Sequence, residues 1–209
     1  MRSISTKKVK ELRDISGAGM MDCKKALTES NGDLQKAMDF LRKSGIAKAQ
    51  KKAGREVKDG LITTYIHPGS KLGVMLEINC ETDFVAKTDA FQSLCKDIAM
   101  HIAAAAPVSV SKDEISKSVL SKEREIYAEQ AKASGKPDEI VNKMVEGRMD
   151  KFCKENALLE QQFVKDPNTT VKEVLTDTIA KLGENISIAR FMRFQLGETI
   201  STSNKDNSE

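Results

Sequence analysis

Residues 61–87 read L-I-T-T-Y-I-H-P-G-S-K-L-G-V-M-L-E-I-N-C-E-T-D-F-V-A-K, and their periodicity decides the kind of domain this chain builds. Pro68 and Gly69 are strong turn residues between two β-rich runs, so 61–67 and 72–80 predict a hairpin. In the second run Val74, Leu76, Ile78 and Cys80 face one side, and Met75, Glu77, Asn79 and Glu81 the other. One face is therefore core, and the other is wet or covers a partner. The run then enters a charged corner, E-T-D-F-V-A-K, that carries a large aromatic. Phe84 lies seven residues before Phe91 and fourteen before Ile98, so one extended helix would set all three on a core stripe. Periodicity thus reads Phe84 as core, with an exposed working corner as the alternative.

Downstream, Phe91, Leu94, Cys95, Ile98, Ile102 and Ala105 predict a helix from about Asp89 to Ala106, stopped by Pro107. Residues 113–155 are charged and helical in pattern, broken by S-G-K-P at 134–137. Val141, Met144, Val145, Met149 and Phe152 give the second arm a narrow seam, which predicts a protruding antiparallel helical hairpin. V-K-E-V-L-T-D-T-I-A-K-L-G at 171–183 predicts a helix, and I-S-I-A-R-F-M-R-F-Q-L at 186–196 a third strand. Upstream, residues 4–45 predict three short helices. Val9, Leu12 and Ile15 mark the first, Cys23, Ala26 and Leu27 the second, and Leu34, Ala37, Met38 and Leu41 the third. Gly17 and Gly19 end the first, Asp33 N-caps the third, and Gly45 is its expected stop. The expected class is α+β, a three-stranded antiparallel sheet packed on helices. Its divisions are a three-helix domain at 1–45, a basic, part-helical linker at 46–59, a first core segment at 60–112, the hairpin at 113–165, a last core segment at 166–198, and a disordered tail at 199–209.

The composition excludes several classes. With 209 residues and 31% charged side chains, the chain can bury a core, and its longest apolar run falls far short of a bilayer span. No membrane association is expected. The first ten residues lack the apolar stretch of a secretory signal, and four scattered cysteines without a C-x-x-C pair suit a reducing, cytoplasmic setting. Two histidines, His67 and His101, and the cysteine spacing argue against a metal site. Cys95 and His101 fall on different helix faces, so no thiol nucleophile is expected, and no cofactor is implied. G-A-G-M-M-D at 17–22 lacks a preceding strand and a third glycine, which makes it a helix turn and not a phosphate loop. Met20 and Met21 are flexible thioethers at a helix start, suited to an adaptable contact surface. Net charge +3 and 4% aromatics disfavour direct nucleic-acid binding, although 43–58 gathers Lys43, Lys48, Lys51, Lys52, Arg55 and Lys58 against Glu56. An RNA- or ribosome-associated adaptor using this linker is the alternative reading.

V-K-E-L-R at 9–13, G-A-G-M-M-D-C-K-K-A-L at 17–27, N-G-D at 31–33, E-T-D-F-V-A-K, A-M-H-I-A-A at 99–104, S-G-K-P, M-V-E-G-R-M at 144–149 and Q-F-V-K-D at 162–166 occur in one order. Together they resemble the elongation factor Ts family over nearly all of residues 4–197. The resemblance implies a non-enzymatic guanine nucleotide exchange factor acting on the GTPase elongation factor Tu. It implies that 1–45 is a ubiquitin-associated-like domain, with Arg13, Met20, Met21 and Lys24 at the partner's G domain. Thr82, Asp83, Phe84 and Val85 would be the region that dislocates the partner's magnesium, with Asp83 and Phe84 intruding, and His67 a possible second core contact. Longer members of the family carry a duplicated core, whereas this chain has one. A homodimer, giving a two-plus-two complex with the partner, would supply the second.

Overall fold

The computed structural model describes residues 4–133 and 135–198, so the disorder expected at 199–209 lies outside the described residues. The elements in order are α1 Thr6–Ser16, α2 Met20–Glu29, α3 Leu34–Gln50, β1 Asp59–Ile66, β2 Leu72–Cys80, α4 Asp83–Ala86, α5 Asp89–Ala105, α6 Lys117–Lys132, α7 Asp138–Asn156, β3 Gln162–Phe163, β4 Asp166–Thr170, α8 Val171–Leu182 and β5 Ile186–Gln195. The class is α+β, with β1, β2 and β5 forming a three-stranded antiparallel sheet in that order. Val74, Leu76, Ile78 and Cys80 are buried, which is the core face that alternation predicts. No helix among the described residues is long and apolar enough to cross a membrane.

Contact density divides the chain into two units. The first holds the residues up to Leu61, Ile78–Leu94 and Glu173–Ser187. Here Val9, Leu12, Cys23, Ala26, Leu27 and Ala37 form a small core, with Leu34, Met38, Phe40 and Leu41 packed against it. Ser5 caps α1 through Lys8 N–H, and Asp33 caps α3 through Lys36 N–H at 3.0 Å, satisfying donors that a helix start leaves open. Gly17, at φ 66°, ends α1 in the left-handed conformation that glycine takes without a Cβ penalty.

Two expectations for these helices are corrected. Ile15 is 62% exposed and does not continue the Val9–Leu12 stripe, because two steps of three residues rotate it about 120° from Val9 around a 3.6-residue helix. Gly45 does not stop α3, which runs on to Gln50. A Cβ at Gly45 would meet Ala180 Cβ at 3.3 Å, so this glycine lets α8 approach α3. Arg42 and Glu173 form an ion pair between the same two helices.

The second unit holds Ile62–Glu77, Cys95–Lys172 and the chain from Ile188. In it α6 and α7 pack as the expected hairpin around Ala131, Val141, Val145 and Met149, flanked by Leu120, Tyr127 and Met144. Arg124 pairs with Glu146, and the Arg148 guanidinium lies 5.6 Å from the Tyr127 ring centroid. The β3–β4 ladder was not anticipated, being too short to show alternation. Cys95 and His101 are both buried despite their different helix faces. His101 accepts Val164 N–H at Nδ1 (3.2 Å), so its Nε2–H donates to Gln161 Oε1 at 2.9 Å. It is a structural histidine.

Burial holds the His101 imidazole below its usual pKa, against an opposing effect of the Gln161 bond. The unfolded chain therefore binds the proton more readily than the folded one. Stability is complete above about pH 6.5 and falls as pH drops through that value toward the lower folded pKa. We expect the urea midpoint to be lower at pH 5 than at pH 7.5, and His101→Gln to flatten that slope while lowering the neutral-pH midpoint. An unchanged slope in the variant would refute the assignment.

Candidate functional site

The site grows from the end of β2. Thr82 has extended backbone and its hydroxyl accepts Val85 N–H at 3.4 Å, starting the single turn α4. In that turn Val85 and Ala86 are buried, which leaves Asp83, Phe84 and Lys87 on the outer side. Thr88 then interrupts the helix. Its hydroxyl donates to Val85 O at 2.8 Å and accepts Phe91 N–H at 3.3 Å, so α5 begins afresh at Asp89. This break corrects the single-stripe reading. Phe91 and Ile98 are fully buried, and Phe84 is 79% exposed. Among the described residues, Phe84 is the most exposed of the large hydrophobic side chains.

The corner is held firmly although its aromatic is free. Glu184, in the turn between α8 and β5, accepts Thr82 N–H at Oε2 (3.0 Å) and the Thr82 hydroxyl at Oε1 (2.7 Å). The Thr82 carbonyl accepts the Cys80 thiol at 3.2 Å and Ala86 N–H at 3.2 Å. Glu81 accepts Asn185 N–H at 2.6 Å and lies 3.4 Å from the Arg55 guanidinium. The Asn185 side-chain amide donates to Arg55 O at 2.8 Å. Burial, reinforced by the Glu184 charge, pushes the Cys80 thiol up, so it stays a neutral donor. Asp83 takes a 2.6 Å bond from Lys87, four residues on, and that bond holds its carboxyl below the usual range. The outward group is thus a carboxylate beside a bare ring.

Of the other sequence-predicted residues, Arg13, Met20, Met21 and Lys24 are all exposed and flank the α1–α2 turn in the unit that contains the corner. Met21 is 75% exposed, and Ile15, off the buried stripe of α1, adds exposed apolar surface to the same unit. Val85 faces inward and packs the corner. His67, in the other unit, is exposed at the β1–β2 turn, where its Nδ1 lies 3.1 Å from the Tyr65 hydroxyl. Sequence reasoning missed Glu184 and Asn185. They lie about a hundred residues from the corner in sequence, and only the pairing of β2 with β5 brings them beside it. Among the described residues, no group of three His, Cys, Asp or Glu is placed to hold a metal ion.

The family model described as Elongation factor TS matches residues 5–198. Elongation factor Ts of Thermoanaerobacter sp. (strain X514) is 57% identical over 203 residues, covering 97% of this chain and 100% of the relative. That of Geotalea daltonii is 56% identical over 204 residues, covering 98% and 94%. That of Fervidobacterium nodosum is 56% identical over 195 residues, covering 93% and 99%.

The chain has no tryptophan, so Phe84→Trp places a single reporter on the corner. We expect red-shifted emission, typical of an indole in water, and full access to a neutral quencher such as acrylamide. A blue-shifted, protected emission would contradict the outward placement.

Proposed function

The chain belongs to the elongation factor Ts family of translation elongation factors, and on that premise we propose that it is the guanine nucleotide exchange factor of elongation factor Tu. The observation that carries this reading is the Asp83–Phe84 pair, turned outward on a corner whose next two residues, Val85 and Ala86, are buried. The helical unit grips the G domain through Arg13, Met20, Met21 and Lys24. The corner then enters beside the partner's magnesium and phosphate site, where Phe84 displaces structure and the Asp83 charge disturbs the groups around the metal. His67 supplies a second contact.

No bond is made or broken by this chain. It binds the nucleotide-free partner better than the loaded one, and linkage makes that preference reciprocal, so GDP leaves faster and incoming GTP releases the factor. Burying one Phe side chain contributes roughly 1.5–3 kcal/mol. At 1.4 kcal/mol per decade, Phe84 alone accounts for about one to two decades of nucleotide destabilisation. Larger effects need Asp83 and the grip of the helices. The reaction belongs to the cytoplasm, where the partner works.

The linker cations support an RNA adaptor poorly, because Lys48, Arg55 and Lys58 are paired with Asp22, Glu81 and Glu56. Phosphate binding would have to displace these partners. The sheet face supports a homodimer better. Arg193 Nε donates to Ala103 O on the α5 side, so Arg190, Met192 and Phe194 face the other way, where Arg190 pairs with Glu77 at 2.7 Å. That outer face exposes Ile62, Ile66, Met75, Met192, Phe194 and Leu196 and holds a groove of about 380 Å³. Six exposed apolar side chains on one face suit a partner, and the single core singles out a second copy.

Two outcomes check the reading. Phe84→Ala slows release of a fluorescent GDP from elongation factor Tu at least about tenfold in stopped flow with the fold intact, the lower end of the burial estimate. A wild-type rate would sink the wedge, and tight, salt-sensitive binding to RNA in a mobility shift would favour the adaptor instead. Light scattering at micromolar concentration finds a dimer that Met192→Glu with Phe194→Lys converts to monomer, and a monomeric wild type refutes the shared face.

A further inference from the structure

We propose that Glu184 is the positioning residue of the Phe84 corner, an inference that rests on the reading of Phe84 as the group inserted into the partner. Its carboxylate takes both donors of one residue, the Thr82 N–H at 3.0 Å and the Thr82 hydroxyl at 2.7 Å. Thr82 is the N-cap of the turn that carries Phe84, so fixing it sets the direction in which the ring leaves the surface.

The contact is reciprocal. Glu184 receives the backbone N–H of the 81–82 segment, while Glu81 receives the backbone N–H of Asn185 at 2.6 Å. Each strand end therefore lends an acid to the other's backbone. Hydrogen bonds with an ionised acceptor are roughly twice as strong as neutral ones, and two on one carboxylate fix its orientation as well. The buried Asn185 extends the clasp to the linker through Arg55 O at 2.8 Å, and Arg55 returns a charge to Glu81. The linker after α3 thereby shares partners with the corner. Both bonds of the half-buried Glu184 carboxylate go to Thr82 and none to Phe84, so its effect on exchange is assigned to Thr82.

The position also explains a feature of the sequence that the fold does not require. The chain from α8 to β5 is only Gly183, Glu184 and Asn185. Gly183, at φ 81°, makes the turn. Glu184 and Asn185 do the holding, which a purely connecting turn has no need of.

The test combines two readouts. In the Phe84→Trp background, adding Glu184→Ala should lower the steady-state anisotropy of the lone indole well below the melting temperature, a measurement that involves no partner. With Phe84 restored, Glu184→Ala should lower the saturating rate of GDP release at least about tenfold and shift the half-saturating concentration by less than roughly threefold, the signature of a lost positioning effect with the remote grip intact. Glu184→Gln keeps one acceptor and should fall between. If Glu184→Ala fails to fold, Glu184→Gln carries the test in its place and should lower both readouts in the same sense. Unchanged anisotropy, or lowered anisotropy with wild-type release, overturns the inference. If Phe84→Ala also releases GDP at the wild-type rate, the wedge reading fails instead, and the anisotropy result still decides whether Glu184 holds the corner.

Discussion

The exchange of carboxylates between the ends of β2 and β5 is the contact on which the corner depends. Antiparallel neighbours in a sheet bring the end of one strand beside the start of the other, so Thr82 and Glu184 meet although 102 residues separate them. Once Thr82 is fixed, its hydroxyl caps α4, Val85 and Ala86 turn inward, and Phe84 has only the outer side left. The exposed aromatic is thus a consequence of ordinary satisfaction of backbone donors. Without the Thr88 cap that restarts the helix, the same residues would extend α5 backward and Phe84 would join Phe91 on the buried stripe.

A second constraint acts on the helices that flank the site. A bundle of three short helices encloses little apolar volume and is marginal alone. Here the unit gains α8, which meets α3 where Gly45 offers no Cβ and the Ala180 side chain fills the space. Small residues at such a crossing let backbones approach, and the Arg42–Glu173 pair borders it. The same short α8–β5 turn that follows this packing delivers Glu184 to Thr82. Packing of the helices and placement of the corner therefore draw on one element.

The sequence exposed these features unequally. Period-two alternation from Val74 to Cys80 and the three-to-four spacing of Phe91, Leu94, Ile98 and Ile102 were legible because one face of each element is buried along its whole length. Gly45 was misread because a helix glycine signals a stop by local chemistry, whereas its reason here is a neighbour about 135 positions away in sequence. Ile15 was misread because two steps of three residues stay apolar in spacing while rotating off the core. Phe84 was ambiguous because periodicity cannot see the Thr88 cap; only the motif, compared with a family, pointed outward. Glu184 and Asn185 carry no local signal, since an acid and an amide in a short turn read as solvent-facing until their partners are known.

Magnitudes show why a rigid corner matters to an inserted aromatic. Ordering a residue's backbone costs about 1–2 kcal/mol, so fixing the four residues 82–85 at the moment of contact would cost about 4–8 kcal/mol. Burial of one Phe side chain returns only roughly 1.5–3 kcal/mol. A floppy loop with the same sequence would spend the whole gain on its own ordering and leave nothing to weaken a bound nucleotide. With Thr82 held in the free protein, that entropy is lost during folding, where the core offsets it, and the burial of Phe84 remains available for the partner. The exposed ring carries the complementary requirement: a side chain already buried has no transfer free energy left to offer, so the group that acts must be the one the fold leaves outside.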